Sequence, residues 1–161
     1  MTISLAGLTI FLTSNFLGII PAILIGVLVY YFWGRINRKA ATIGLFESNI
    51  NAYYTGIKSG LTHSEAISLV IESRYPHSPD KQKQILDHYE ESVSGLAIVY
   101  SEHSPDLINP KSGRLTNAEE LKFLVYLLFC QENGDPPEGY DKVVRENIAI
   151  TYERIANKYA T

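Results

Sequence analysis

The chain has a single cysteine, Cys130, among 161 residues, and it has no charged side chain anywhere from Met1 to Gly34. The first scarcity excludes an internal disulfide and any zinc cluster built from several thiolates. The second divides the chain in two. All 14 basic and 17 acidic residues lie at or beyond Arg35, so only the later part has the charge density of an ordinary soluble domain. The length suffices for one buried core and not for two full-sized ones. From residue 40 onward, 11 basic residues face 17 acidic ones, a net of −6. That balance argues against long DNA or RNA as a partner, since both demand a broad basic surface.

Signatures of catalysis are missing as well. The four histidines, His63, His77, His88 and His103, lack metal-ligand spacing. There is no dinucleotide or P-loop glycine pattern and no nucleophile elbow. Glu90-Glu91 and Glu119-Glu120 are adjacent carboxylates, but successive helical residues point about 100° apart and such pairs usually form a solvated face. Cys130, in the most apolar stretch of the later part, reads as a buried structural thiol. The expectation is a protein that is not an enzyme and carries no cofactor or metal.

What is present begins with an unbroken apolar run of 18 residues, Phe16 to Trp33. That length is near the lower limit for crossing a bilayer as a helix. Tyr30, Tyr31, Phe32 and Trp33 suit the headgroup region at one end, and Arg35, Arg38 and Lys39 follow at once. By the positive-inside rule the N-terminus lies outside and the remainder in the cytoplasm. A cleaved signal peptide fits poorly, because no basic residue precedes the run and bulky aromatics stand where small residues belong. Gly18, Ala22 and Gly26 share one helical face and would let two such helices pack closely in lipid. Glycine and alanine are also simply common in membrane helices, which explains the stripe equally well.

Prolines divide the rest. Six of the seven, at 76, 79, 105, 110, 136 and 137, leave four long proline-free stretches with helical periodicity. Ile43, Phe46, Ile50, Tyr53, Tyr54 and Ile57 form one stripe, stopped by Gly60. Thr62 and Glu65 make a capping box before Ala66, Ile67, Val70 and Ile71. Ser78 as N-cap with Pro79 opens a helix whose stripe is Ile85, Tyr89, Val93, Leu96 and Tyr100. Residues 103–115 read as a loop. Thr116 and Glu119 repeat the capping box before Leu121, Leu124, Val125, Leu128 and Phe129, an almost uniformly apolar helix that should be central. Val144, Ile148, Ile155 and Tyr159 mark the last helix. The expected fold is therefore all-α: a membrane anchor over residues 1–34, then a cytosolic bundle of about five helices over 35–161. Gly34 alone interrupts the passage between the two, so the anchor is free to run on into the first domain helix.

Two basic segments stand at helix starts. Lys111, Arg114, Thr116 and Asn117 surround the Ser112-Gly113 pair ahead of the central helix. Free N–H donors and a partial positive charge make such a helix start suitable for phosphate. A solvent loop with a capping threonine is the plainer alternative. Arg74 and Lys81 flank the other start, where Asp80 fills part of the anion position itself. Tyr53-Tyr54 cannot both face one core, leaving one for an interface or a stacked base.

This layout, with a mass of 18.0 kDa, an uncharged anchor over Met1–Gly34, the Arg35/Arg38/Lys39 stop and a helical domain without enzymatic motifs, resembles the small membrane-anchored accessory effectors of type III CRISPR antiviral systems. The resemblance implies binding of cyclic tetra-adenylate by a homo-oligomer, a tetramer, whose ordering rearranges the anchors to perturb the inner membrane. A four-phosphate ring on a fourfold axis would need one or two cations per chain, which an acidic domain can still supply. An adaptor or assembly subunit, binding a protein partner through its helix faces, is the alternative function.

Overall fold

The structure, a computed structural model, describes the backbone of residues 5–160 and the side chains of residues 23–33 and 39–160. It is all-α. The helices are α1 (Leu5–Lys58), α2 (His63–Arg74), α3 (Pro79–His103), α4 (Asn117–Asn133) and α5 (Asp141–Ala160), with one 3₁₀ turn at Pro105–Leu107. Two units divide the chain, Met1–Ala41 and Thr42–Thr161.

In the first unit the described side chains from Ile23 to Trp33 are all exposed, Ile23 at 60% and Tyr30 at 83%. Tyr31 and Trp33 of the expected aromatic belt are exposed too, as is Lys39. A Cβ on Gly26 would meet nothing within 4 Å. The side chains of Ala22, Arg35 and Arg38, and the surroundings of Gly18, lie outside the described residues. Among the described residues no helix is long and apolar enough to cross a membrane.

The second unit is a helical bundle around α4, which approaches α2, α3 and α5 closely. Leu121, Leu124, Val125 and Leu128 are completely buried, as the nearly continuous apolar pattern of this helix requires. The end of α1 is held by larger side chains: Phe46 meets Phe129 edge-on at 5.9 Å, and Tyr54 stacks on Tyr159 at 5.1 Å. Tyr53 is buried, while Tyr54 is half-buried and stacks on Tyr159 of α5. The α1 stripe is narrower than its periodicity suggests. Ile43 and Ile57 are exposed, while Leu45 and Asn49 turn inward.

Local chemistry sets the boundaries. Gly60, at φ 90°, closes α1 with bonds from its own N–H to Ile57 and from the Leu61 N–H to Gly56. Gly56 sits in a tight spot, where a Cβ would lie 3.1 and 3.2 Å from the ends of Leu69 and Leu61 and push them back by a few tenths of an ångström. The Thr62 capping box forms in full, the backbone N–H of Thr62 donating to Glu65 at 2.8 Å. At Thr116 only half of it forms. The backbone N–H of Thr116 is already given to the Leu107 carbonyl, so Glu119 has nothing to receive and pairs with Lys122 instead. Ser78 does not cap with its side chain, and α3 begins on Pro79 alone.

Within the segment read as a loop, residues 108–115 form a short hairpin after the 3₁₀ turn. Ile108 bridges Leu115, Asn109 receives the N–H of Gly113 and gives its own to Arg114, and Gly113 supplies the turn at φ 68°. Substituting Leu124→Ala should lower stability by about 2–5 kcal/mol. Ile98→Ala, at a position 70% exposed, should change it by less than about 0.5 kcal/mol. Thermal and denaturant midpoints of the two variants check this pair, and equal losses would contradict the core assignment.

Candidate functional site

The chemistry of the bundle gathers around one carboxylate. Glu120 lies in the first turn of α4, and its side chain is 3% exposed. Taking an ionised carboxylate out of water costs several kcal/mol unless it is paired and hydrogen-bonded. Here it receives four donors. Arg114, carried by the hairpin, donates Nε to Oε1 at 2.9 Å and Nη2 to Oε2 at 3.3 Å. The Tyr89 hydroxyl of α3 donates to Oε2 at 2.8 Å, and His63 Nε2 of α2 lies 2.9 Å from the same oxygen. Arg114 Nη1 also reaches Glu90 Oε2 at 3.0 Å. The far side of the imidazole, Nδ1, is 2.7 Å from the Tyr53 hydroxyl of α1.

Two opposing effects set the proton affinity of Glu120. Burial pushes it up, while bonds from His63, Arg114 and Tyr89, with the charge of Arg114, outweigh burial and hold it down to about 2. Burial, with smaller contributions from Tyr152 and the Glu120 charge, raises the Tyr53 hydroxyl to about 12. Arg114 is held charged by its bonds to Glu120 and Glu90.

This cluster forms one wall of a half-open cleft of about 350 Å³ at the starts of α2 and α4, which Ser64, Asn109 and Asn117 also line. Arg114 and Asn117 of the expected anion cradle therefore face a common space. Lys111 and Thr116 do not line it. The Thr116 hydroxyl is spent on the cap of α4, while the Lys111 backbone N–H closes a turn onto Asn109 Oδ1 at 3.0 Å. The side chain of Lys111 is exposed and enters no ion pair among the described residues. The cation at the cleft is thus already matched by two carboxylates, and the unmatched one stands on the hairpin tip.

The second basic segment is committed to internal contacts. Arg74 grips Glu132 with two nitrogens, tying the end of α2 to the end of α4, and Lys81 sits 4.2 Å over the Tyr75 ring. Cys130 is half-buried, less enclosed than the buried thiol expected, and burial raises its thiol. Among the described residues no group of histidine, cysteine or acidic side chains is arranged to hold a metal.

Sequence reasoning gave His63 no ligand role and placed Glu120 on a solvated face. The rule that adjacent carboxylates diverge holds, since Glu119 pairs outward with Lys122 while Glu120 turns in. A signal was available: Glu120 stands four residues before Leu124 on the buried stripe of α4. Its partners His63 and Tyr89 are 57 and 31 positions away, and no local pattern announces them.

Because the folded state holds Glu120 far below its ordinary value, its contribution is fully present above that value and is lost as pH falls toward about 2. Urea titrations at pH 6, 4 and 3 should show this decline. Glu120→Gln should flatten it, and a Glu120→Gln variant with the full acid slope would show that other groups carry it. At pH 7, Arg114→Met should cost about 3 kcal/mol, by stranding a buried charge.

Compared with known proteins, the chain matches no family model, no curated protein and no solved structure.

Proposed function

We propose that the chain is a non-enzymatic effector, anchored by one membrane-spanning helix in the inner membrane, with its N-terminus outside and its helical domain in the cytoplasm. In this reading residues 1–34 are the anchor, and the domain from residue 35 onward binds a small anionic second messenger. Cyclic tetra-adenylate is the first candidate, bound by a homo-oligomer in antiviral defence.

The observation that carries the anchor is the exposure of every described side chain from Ile23 to Trp33 on the same helix whose later residues Phe46, Ile50 and Tyr53 enter the core. Withdrawing each such aliphatic or aromatic side chain from water is favourable by roughly 1–3 kcal/mol. Exposed together on one helix they call for lipid or a partner helix. The sequence run begins earlier, at Phe16, which supplies the length that a span needs. The ligand assignment is supported by the cleft that Arg114 and Asn117 share and by the unmatched cation of Lys111 beside it. Arg114 has a holding role in this arrangement, so Lys111 is the residue to change when testing the ligand.

The alternative, a membrane-anchored adaptor, is favoured by a different feature. A groove of about 310 Å³ runs between α3, α4 and α5, floored by Leu96, Phe123 and Ile148. The same helices α3 and α5 expose Ile98 and Ile150 at 70% and 65%. A protein partner would use such apolar surface, and a phosphate would not.

Thermal unfolding of the full chain in lipid nanodiscs, against linear and cyclic nucleotides, separates the two readings. A bound messenger should stabilise the fold by about 2.7 kcal/mol at a hundredfold excess over its dissociation constant. Lys111→Glu should remove that shift and leave the unliganded midpoint in place. No shift with any nucleotide would favour the adaptor. Retention of the chain in the soluble fraction, instead of with membranes after alkaline washing, would defeat both.

A further inference from the structure

The hydrogen-bonded chain through Glu120 has two ends. One is Arg114, whose side chain is 42% exposed and lines the cleft. The other is Tyr53, 5% exposed, in the part of α1 that enters the bundle. Between them stand Glu120 of α4 and His63 of α2, with contacts of 2.9 Å from Arg114 to Glu120, 2.9 Å from Glu120 to His63 and 2.7 Å from His63 to Tyr53. We propose that His63 couples the cleft to α1, so that drawing the Arg114 guanidinium away from Glu120 loosens the seat of α1 on the bundle.

The direction of each proton makes the coupling physical. An ionised Glu120 offers lone pairs alone, so His63 Nε2 must carry a proton, and a neutral ring then accepts the Tyr53 hydroxyl at Nδ1. Arg114 is what keeps a buried Glu120 ionised, together with Tyr89 and His63. Once Arg114 leaves, the carboxylate keeps only Tyr89 and His63 as donors, both on Oε2, and its Oε1 is freed. The carboxylate then turns within the cluster and carries the imidazole with it, which stretches the Nδ1 bond to Tyr53.

The seat of α1 is prepared for release. Asn49 stands one turn before Tyr53 and is 2% exposed, and its amide nitrogen has no hydrogen-bond partner. A buried donor without an acceptor weakens the surface it sits in. The other fastenings of this part of α1 include the Phe46–Phe129 and Tyr54–Tyr159 ring pairs, the Glu47–Arg154 ion pair, the 3.1 Å bond from the Tyr54 hydroxyl to that of Tyr152, and Lys58 over the Tyr159 ring. Glu90, the second carboxylate on Arg114, is 43% exposed, so an incoming phosphate or carboxylate group meets Arg114 at the Glu90 side first. This last step rests on the reading of the cleft as an anion site, whereas the coupling itself rests on the bonds.

Hydrogen–deuterium exchange of the full chain in lipid nanodiscs tests the coupling without a ligand. Arg114→Lys keeps a positive charge and gives up the two-pronged bond. It should raise exchange over residues 45–58 by about tenfold, the size expected for losing a bond to a charged group, with less than about twofold change in α5. Tyr53→Phe should raise the same amides, and the double variant should add nothing, because the link is already cut. Additive effects in the double variant, or equal increases in α1 and α5, would overturn the proposal. Should Arg114→Lys fail to fold, Glu120→Gln takes its place in the same comparison. Cyclic tetra-adenylate supplies the second arm. If it raises α1 exchange in the wild type and not in Tyr53→Phe, ligand and coupling stand together. If no nucleotide binds while the variants still couple, the ligand reading falls and the coupling stands.

Discussion

A carboxylate that has left water dictates much of this bundle. Glu120 cannot be buried alone, and each donor it requires must be delivered by a different element. Arg114 comes from the hairpin, Tyr89 from α3 and His63 from α2, while Tyr53 extends the set to α1. The order of the hairpin follows from this demand. A flexible loop would deliver its guanidinium with a large entropic cost, whereas the Ile108–Leu115 bridge and the turn at Gly113 hold Arg114 in place. Apolar packing makes the bundle compact, and the polar set specifies how its elements are registered against one another.

The same interaction explains why the strongest basic candidate is a poor free cation. A guanidinium facing Glu90 and Glu120 has its charge balanced before any ligand arrives. Arg74 and Lys81 follow the same pattern, one gripping Glu132 and the other resting on Tyr75. In an acidic domain, cations are drawn into internal pairs wherever geometry allows. Of the cations at the two helix starts, the exposed Lys111 at the hairpin enters no ion pair among the described residues.

Helix α1 joins two kinds of surface in one element. Its residues from Ile23 to Trp33 are apolar and exposed, whereas Leu45, Phe46, Asn49, Ile50 and Tyr53 are buried, with Phe46 against Phe129 of α4 and Tyr54 against Tyr159 of α5. Gly34 lies within α1 without ending it, since one glycine lowers helix stability by only about 1 kcal/mol.

The helices were legible in the sequence because their causes are local. Proline clusters, the Thr62–Glu65 box, Gly60 and Gly134 mark their ends, and period-3.6 stripes such as Leu121, Leu124, Val125 and Leu128 mark their buried faces. The fate of polar residues was not legible. Whether Glu120 is solvated or buried, whether Tyr54 is spare or stacked, and whether Thr116 closes a full box all depend on groups brought from far along the chain. Sequence by itself determined where backbone hydrogen bonds are satisfied within a segment and which faces leave water. Tertiary structure decided which buried charge meets which donor, because a desolvated carboxylate is stabilised by partners within about 3 Å in space, whatever their distance in sequence.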